Sequence, residues 1–497
     1  MSHSGIRDLS AEEHALVSGG AQVDNTDTPP IGTIPHNKSS RFTLDAASSD
    51  AASPRSPMLS LSLAFLLASP SAGAIDSEGI TQIFNDPTPV SQALAQGDVA
   101  SLRRLQSNTP NPVVEKMAKA AERRVLLDLP GARAASDDCV THAQQAKHLA
   151  GLTVCGGLRA GVEAVAGDLP AWARLTGEAR ERLRNIAAAR GKTLGNIDVF
   201  TRIPDYAALA ARPTPSVRKH AQGRIPLYAG VVKVAYGEGH GGGEVDYPNM
   251  AQIQIEGIST QALVDTGSAL TVVRPSALKA PAFMDGFALS GVLGVSSARS
   301  TVAQPKTLQW GSLVIAQPLV AASDQIPVNL LGLDVLSKLG RAIIGKDGIQ
   351  ILAPGADAPA CQAPLFSAVD VSGAQTVPRM FITVDGKRQE AMLDTGNSGE
   401  LMEALPVGAL LPAGPAQHSV VQGVQGQQRR TSISRDVTVQ TLGGSARLQM
   451  STSVGTHPSR TRYVLGGGSL RRIDIYLDFT DNKACVMPLG SVPPRAG

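Results

Sequence analysis

An acidic turn occurs twice in the sequence, as Asp265-Thr266-Gly267-Ser268 and as Asp394-Thr395-Gly396-Asn397. Each copy ends a short apolar run, Ala262-Leu263-Val264 or Ala391-Met392-Leu393. A carboxylate at the end of a buried strand is costly to desolvate unless it is paired or has chemistry to perform. Two such turns in one chain predict two carboxylates brought face to face.

The surrounding sequence repeats in the same order. Strand-like runs start at Pro226 and at Pro364, and a Gly-rich loop over 237–249 follows the first. Alternating strands from Met250 and from Met380 end at Gly257 and Gly386. Downstream, Gly291-Val292-Leu293-Gly294 follows Asp265 at nearly the interval by which Gly423-Val424-Gln425-Gly426 follows Asp394. Paired glycines between strand-forming residues suit the tip of a mobile hairpin. Trp310-Gly311 and Leu442-Gly443 each precede a further strand. Leu331-Gly332 and Leu465-Gly466 then place a glycine at a second, longer interval that is again similar in the two copies. Landmarks in one order at similar spacing indicate an internal duplication. Two related lobes can pack about a pseudo-twofold axis, and that would bring the acidic turns together.

A chain of 497 residues has room for about three domains of roughly 150 residues. A 42% apolar content permits large cores, and only 3% aromatic residues means they are built from aliphatic side chains. The net charge is +3, without a basic cluster interleaved with aromatics, which argues against nucleic-acid binding. Residues 1–57 are rich in Ser, Asp, Pro and Thr and read as a disordered leader. Residues 58–74 have a short apolar stretch followed by Ala72-Gly73-Ala74, the pattern of a cleaved secretory signal. They are too short for a membrane span, so no stable span is expected after cleavage. A signal belongs at the amino terminus, so translation from Met58 is expected, with 1–57 an over-extended start. The competing reading is an internal apolar segment in a disordered tail.

Four cysteines fit an exported, periplasmic or secreted protein with two disulfides. Of three possible pairings, Cys139–Cys155 with Cys361–Cys485 is the expected one. Residues 75–223 change to helical periodicity, with about five helices, among them 113–127, 142–150, 156–166 and 177–190. Pro130-Gly131 reads as a helix stop, and residues 212–224 as a linker. No repeat period stands out. His142 and His148 have no further ligands in register and read as a solvated helix face, so neither a metal nor another cofactor is expected. The helical region could be a pro-segment, a docking module or a stabilising cap.

The two β segments resemble aspartic proteases of the pepsin and retropepsin type. The strand leading to Asp-Thr-Gly, the glycine-bearing hairpin and the apolar Leu-Gly element are the features that carry the resemblance. Glycine hairpins in both copies, with no Tyr in either, are more similar to a retropepsin dimer fused into one chain than to pepsin. The resemblance implies a mainly β fold, a bilobal acid-protease-like double β-barrel with pseudo-twofold symmetry, preceded by the α-helical domain. Its lobes would be residues 224–355 and 356–497. It implies Asp265 and Asp394 as a catalytic pair, supported by Thr266, Gly267, Ser268, Thr395, Gly396 and Asn397. Thr266 and Thr395 would bond across the lobes, and Ser268 would bond the outer carboxylate oxygen. Asn397 stands where the family has Ser or Thr, so the site is expected to be unequal. Gly466-Gly467-Gly468 also departs from the first copy, and would either loosen the second lobe or fit a close backbone contact. Gly291, Val292, Gly294, Gly423, Val424 and Gly426 would form substrate-covering flaps. The implied activity is endopeptidase cleavage of a peptide or protein substrate, and with both lobes in one chain a monomer suffices. The alternatives are a non-catalytic peptide-binding or assembly module with the same fold, and a zymogen blocked by its helical region.

Overall fold

The computed structural model describes residues 21–24, 88–189, 191, 206–235, 242–287, 290–291, 294–295, 300–373, 376–423, 426–454 and 462–492. The candidate signal at 58–74, most of the leader, and Val292 and Val424 lie outside the described residues. Within the leader, Ala21–Asp24 is a strand lying antiparallel to residues 419–422. No described helix is long and apolar enough to cross a membrane.

The helical region begins with Thr88–Gln96, Val99–Asn108 and Pro112–Val125. Leu129–Gln145, Leu149–Val165, Leu169–Ala189 and the short Tyr206–Ala210 complete it. The expected helix over 142–150 is broken at Ala146–His148, and the one expected over 156–166 begins earlier, at Leu149. The reason is a capping pattern. Asp128 Oδ1, His148 Nδ1 and Asp168 Oδ1 each accept from the backbone N–H three positions ahead. The residue before each cap, Leu127, Lys147 or Gly167, has a left-handed backbone. The caps recur at equal intervals, so Leu127-Asp128-Leu129-Pro130, Lys147-His148-Leu149-Ala150 and Gly167-Asp168-Leu169-Pro170 form a repeat that helical periodicity alone did not reveal. Pro130 starts a helix and does not stop one, because the first turn has no internal acceptor for its missing N–H. Cys139–Cys155 ties two successive helices of this array.

The β part contains an 11-stranded sheet from the first segment and a nine-stranded sheet from the second, the latter including Ala21–Asp24. Alternation builds the strands. In Gly242–Ile255, Ala251, Ile253 and Ile255 are buried while Gln252 and Gln254 face out. This strand turns at Glu256-Gly257 into Ile258–Val264, and Thr376–Val384 turns at Asp385-Gly386 into Lys387–Asp394. Both turn residues have positive φ in each case, which matches the twist of a two-residue hairpin. Asn329–Leu331 then runs parallel to Ile258–Val264, and Tyr463–Gly466 runs parallel to Lys387–Asp394. A five-stranded sheet joins the segments, with Arg341–Gly345 antiparallel to Ile473–Asp478.

Aliphatic residues of both segments, including Val264, Ile344, Leu393 and Ile475, share one buried core. Cys361–Cys485 fastens the start of the second segment to its last strand. The expected linker over 212–224 contains a strand, Ser216–Lys219, which pairs with Leu313–Ala316.

Candidate active site

Asp265 and Asp394 are 0% and 1% exposed. Parallel strands fix both from the side: Asp265 N–H donates to Leu331 O, and Asp394 is in register with Gly466. The turns face each other. A Cβ on Gly396 would lie 2.4 Å from Asp265 Cγ, so only glycine lets the second turn sit against the first carboxyl. Gly267 N–H donates to Asp265 Oδ1 at 2.8 Å, and the Gly396 N–H holds both carboxyls lower than burial alone would put them.

The threonines lock the turns reciprocally. Thr266 Oγ1 donates to Leu393 O and accepts from Thr395 N–H, each at 3.0 Å. Thr395 Oγ1 donates to Val264 O at 2.7 Å and accepts from Thr266 N–H at 3.0 Å. Both side chains are completely buried. Each hydroxyl therefore uses its donor and an acceptor lone pair across the gap between the turns.

Ser268 does not bond the outer carboxylate oxygen as the resemblance implies, and Asn397, the expected departure, has a different set of partners. Ser268 Oγ donates to Leu270 O at 2.6 Å. Asn397 Oδ1 accepts from Gly399 N–H at 2.9 Å, and its Nδ2 contacts Met402 Sδ at 3.1 Å. Both side chains close their own loops through a backbone partner two positions on. As a result Asp265 Oδ2 and Asp394 Oδ1 are buried with no protein donor aimed at them.

Burial raises both acids. The charge on Asp265 adds to the desolvation that raises Asp394. Two carboxyls this close hold one proton between them; the handling of such pairs in aspartic proteases is a known example of this rule.

Asn249 and Tyr247 are further components that the sequence did not reveal. Asn249 is fully buried, and its Nδ2 donates to Val264 O at 2.7 Å and to Thr395 O at 3.0 Å, one acceptor beside each aspartate. Tyr247, on the same strand, is buried, and its hydroxyl is pushed up by burial and by the charges of both aspartates. Their only sequence signal is a position just before the alternating run from Ala251.

The glycines after each parallel strand permit close backbone approach. A Cβ on Gly332 would lie 2.4 Å from the Leu270 carbonyl carbon. On Gly466, Gly467 or Gly468 it would lie 2.1–2.3 Å from the oxygen of Gly399, Thr395 or Ser398 respectively. Of the two readings of this run, the structure gives the close contact. The hairpin tips pair Gly291 with Gly294 and Gly423 with Gly426 through the backbone. Among the described residues, no group of three or more His, Cys, Asp or Glu could hold a metal ion.

Residues 246–344 match the family model of the retroviral aspartyl protease. This stretch runs from the strand bearing Tyr247 and Asn249, through the first acidic turn, to the strand after Gly332. The crystal structure of basic 7S globulin from soybean is similar with a TM-score of 0.32 and 12% identity, over 54% of this chain and 98% of that chain. No curated protein sequence matches the chain.

Proposed function

We propose that the protein is an exported aspartic endopeptidase whose two retropepsin-like lobes, fused in one chain as a double barrel, each supply one aspartate. The observation that carries this reading is the reciprocal Thr266–Thr395 lock around two buried carboxyls. The recurrence of the same parallel pairing beside each turn supports the two-lobe reading.

In this mechanism the ionised carboxyl of Asp265 and Asp394 takes a proton from a water held between them. The water oxygen bonds to the scissile carbonyl carbon as the protonated partner donates to the carbonyl oxygen. The resulting hydrated intermediate collapses when the protonated carboxyl gives its proton to the nitrogen, the C–N bond breaks, and one hydroxyl returns its proton to the ionised carboxyl, which releases the amine and the acid and restores the single shared proton. Asp265 Oδ2 and Asp394 Oδ1, free of protein donors, are the atoms suited to hold that water and proton. The hairpins ending at Gly291–Gly294 and Gly423–Gly426 would close over an extended peptide and exclude water. Both disulfides are consistent with export to the periplasm or beyond.

The test is cleavage of denatured casein from acid to neutral pH, with a pepstatin-like inhibitor and with Asp265→Asn and Asp394→Asn as controls. Cleavage lost in both variants and blocked by the inhibitor is expected. A folded protein that cuts nothing at any pH would defeat the assignment and leave a peptide-binding module.

A further inference from the structure

Loop 370–373 follows the strand Phe366–Val369 and lies ahead of Thr376–Val384 in the second segment. Side chains of the helical region bond three successive carbonyls of this loop. The Arg124 guanidinium donates to Asp370 O and, at 2.8 Å, to Val371 O, while Trp172 Nε1 donates to Ser372 O at 2.8 Å. Arg124 is completely buried, and burial lowers its pKa to about 10. Two glycines allow the backbones to touch: a Cβ on Gly373 would lie 2.2 Å from Gly161 O, and one on Gly161 would lie 2.7 Å from Val371 O. The strand leaving this loop is the ladder partner of the strand that ends in Asp394.

The same region reaches the first acidic turn through one intervening element. Lys338 Nζ donates to Ala166 O at 2.6 Å, and Gly167 packs against Asp334. The short helix Leu333–Leu336 that carries Asp334 is bonded to the first turn, Leu333 N–H to Ser268 O at 2.8 Å and Asp334 N–H to Ala269 O at 3.2 Å.

The helical region also shares buried cores with both segments. Leu169 and Trp172 join Val245, Tyr247 and Met250, whereas Val114 and Met117 join Phe366 and Val369. Shedding the helices would expose both cores and strip the loop carbonyls of their donors, a cost that a removable pro-segment does not carry.

We infer that the helical region is a permanent strap that sets the position of both Asp-Thr-Gly turns, with Arg124 and Trp172 acting as positioning residues through loop 370–373. The inference rests on the aspartic-peptidase reading, and it excludes the zymogen alternative, in which removal of the helices would open the site.

The experiment compares the full chain with Trp172→Phe, which removes the indole donor, and Gly161→Ala, whose methyl would press on the Arg124 guanidinium and on Val371 O. Hydrogen–deuterium exchange and peptide cleavage are measured on each. Faster exchange is expected at 262–268 and 391–397 as well as at the loop. A kcat lower by about 10- to 100-fold with KM little changed is expected alongside it, and Arg124→Lys should retain more activity than Arg124→Met. Exchange altered only within the helices and the loop, or cleavage that is unchanged or faster, overturns the inference. If the unaltered chain cuts no peptide, the peptidase reading fails, but the exchange comparison still decides the strap.

Discussion

Asn249 accounts for an asymmetry that the two acidic turns do not show by themselves. Met250 pairs with Leu263 and Arg379 pairs with Met392, so one step further along these ladders Asn249 and Pro378 occupy equivalent places. Proline has no side-chain donor, so the first segment alone supplies the amide that bridges Val264 O and Thr395 O. Asn249→Leu leaves Thr395 O without that donor in a buried site. The expected loss is about 1–3 kcal/mol of stability, read by urea denaturation, together with a reduced kcat; an unchanged kcat would show that the threonines hold the turns unaided. Ser268→Ala should leave kcat/KM within about tenfold, or about 1.4 kcal/mol, because the hydroxyl it removes bonds Leu270 O and not a carboxylate. A far larger loss would mean that the hydroxyl turns to Asp265 once substrate is bound. For the carboxyl pair itself, both acids are raised above 3.8 by burial. Activity requires a single shared proton, so the acid limb of kcat/KM should lie above pH 3.8. A plateau extending below that value is the contrary result.

At the scale of elements, the turn Gly467–Arg471 shows why glycines stand in a row where the second parallel strand ends. A Cβ on Gly467 would lie 2.3 Å from Thr395 O and 3.1 Å from Asn249 Oδ1. Neither the backbone oxygen nor a buried amide held through its N–H donors can retreat. Gly467→Ala is therefore expected to cost about 1–3 kcal/mol and to lower activity by displacing Thr395. Thermal denaturation with a cleavage assay checks both, and a stable, fully active variant would refute the close contact. Gly467 was visible in the sequence as a departure, but its reason was not, since the atoms it meets, in Thr395 and Asn249, belong to distant parts of the chain. The acidic turns were legible for the opposite reason: each strand, turn and capping glycine is local and recurs in order. The helices were legible as apolar periodicity, but their limits depended on caps such as His148, a residue type rarely read as a helix start. Asn249 was illegible because an isolated Asn near a strand has many ordinary uses, and its partner Thr395 lies in the other segment.

At the scale of the molecule, the junction of the helical region with the first β segment holds a half-buried carboxyl. Asp334 accepts from Thr271 Oγ1 at 2.9 Å and is close to Lys338, itself bonded to Ala166 O. Burial outweighs these partners and pushes Asp334 up to about 6 from 3.8. A raised pKa means that the folded chain binds this proton more tightly than the unfolded chain. The stability it contributes is fully present below pH 3.8 and is lost as pH rises through about 6. Asp334→Asn keeps an acceptor for Thr271 and removes the charge. The stability of the unaltered chain minus that of the variant should therefore fall across this window and level off above it. A rise of that size sets a ceiling of about 3 kcal/mol on the fall. Asp265 and Asp394 titrate in the same direction, but they are present in both proteins and cancel in the difference. Urea denaturation at closely spaced pH values measures it. A difference that rises towards neutral pH would mean that the attraction between Asp334 and Lys338 exceeds the cost of burying them, and that the junction is held by an ion pair instead of by a neutral acid.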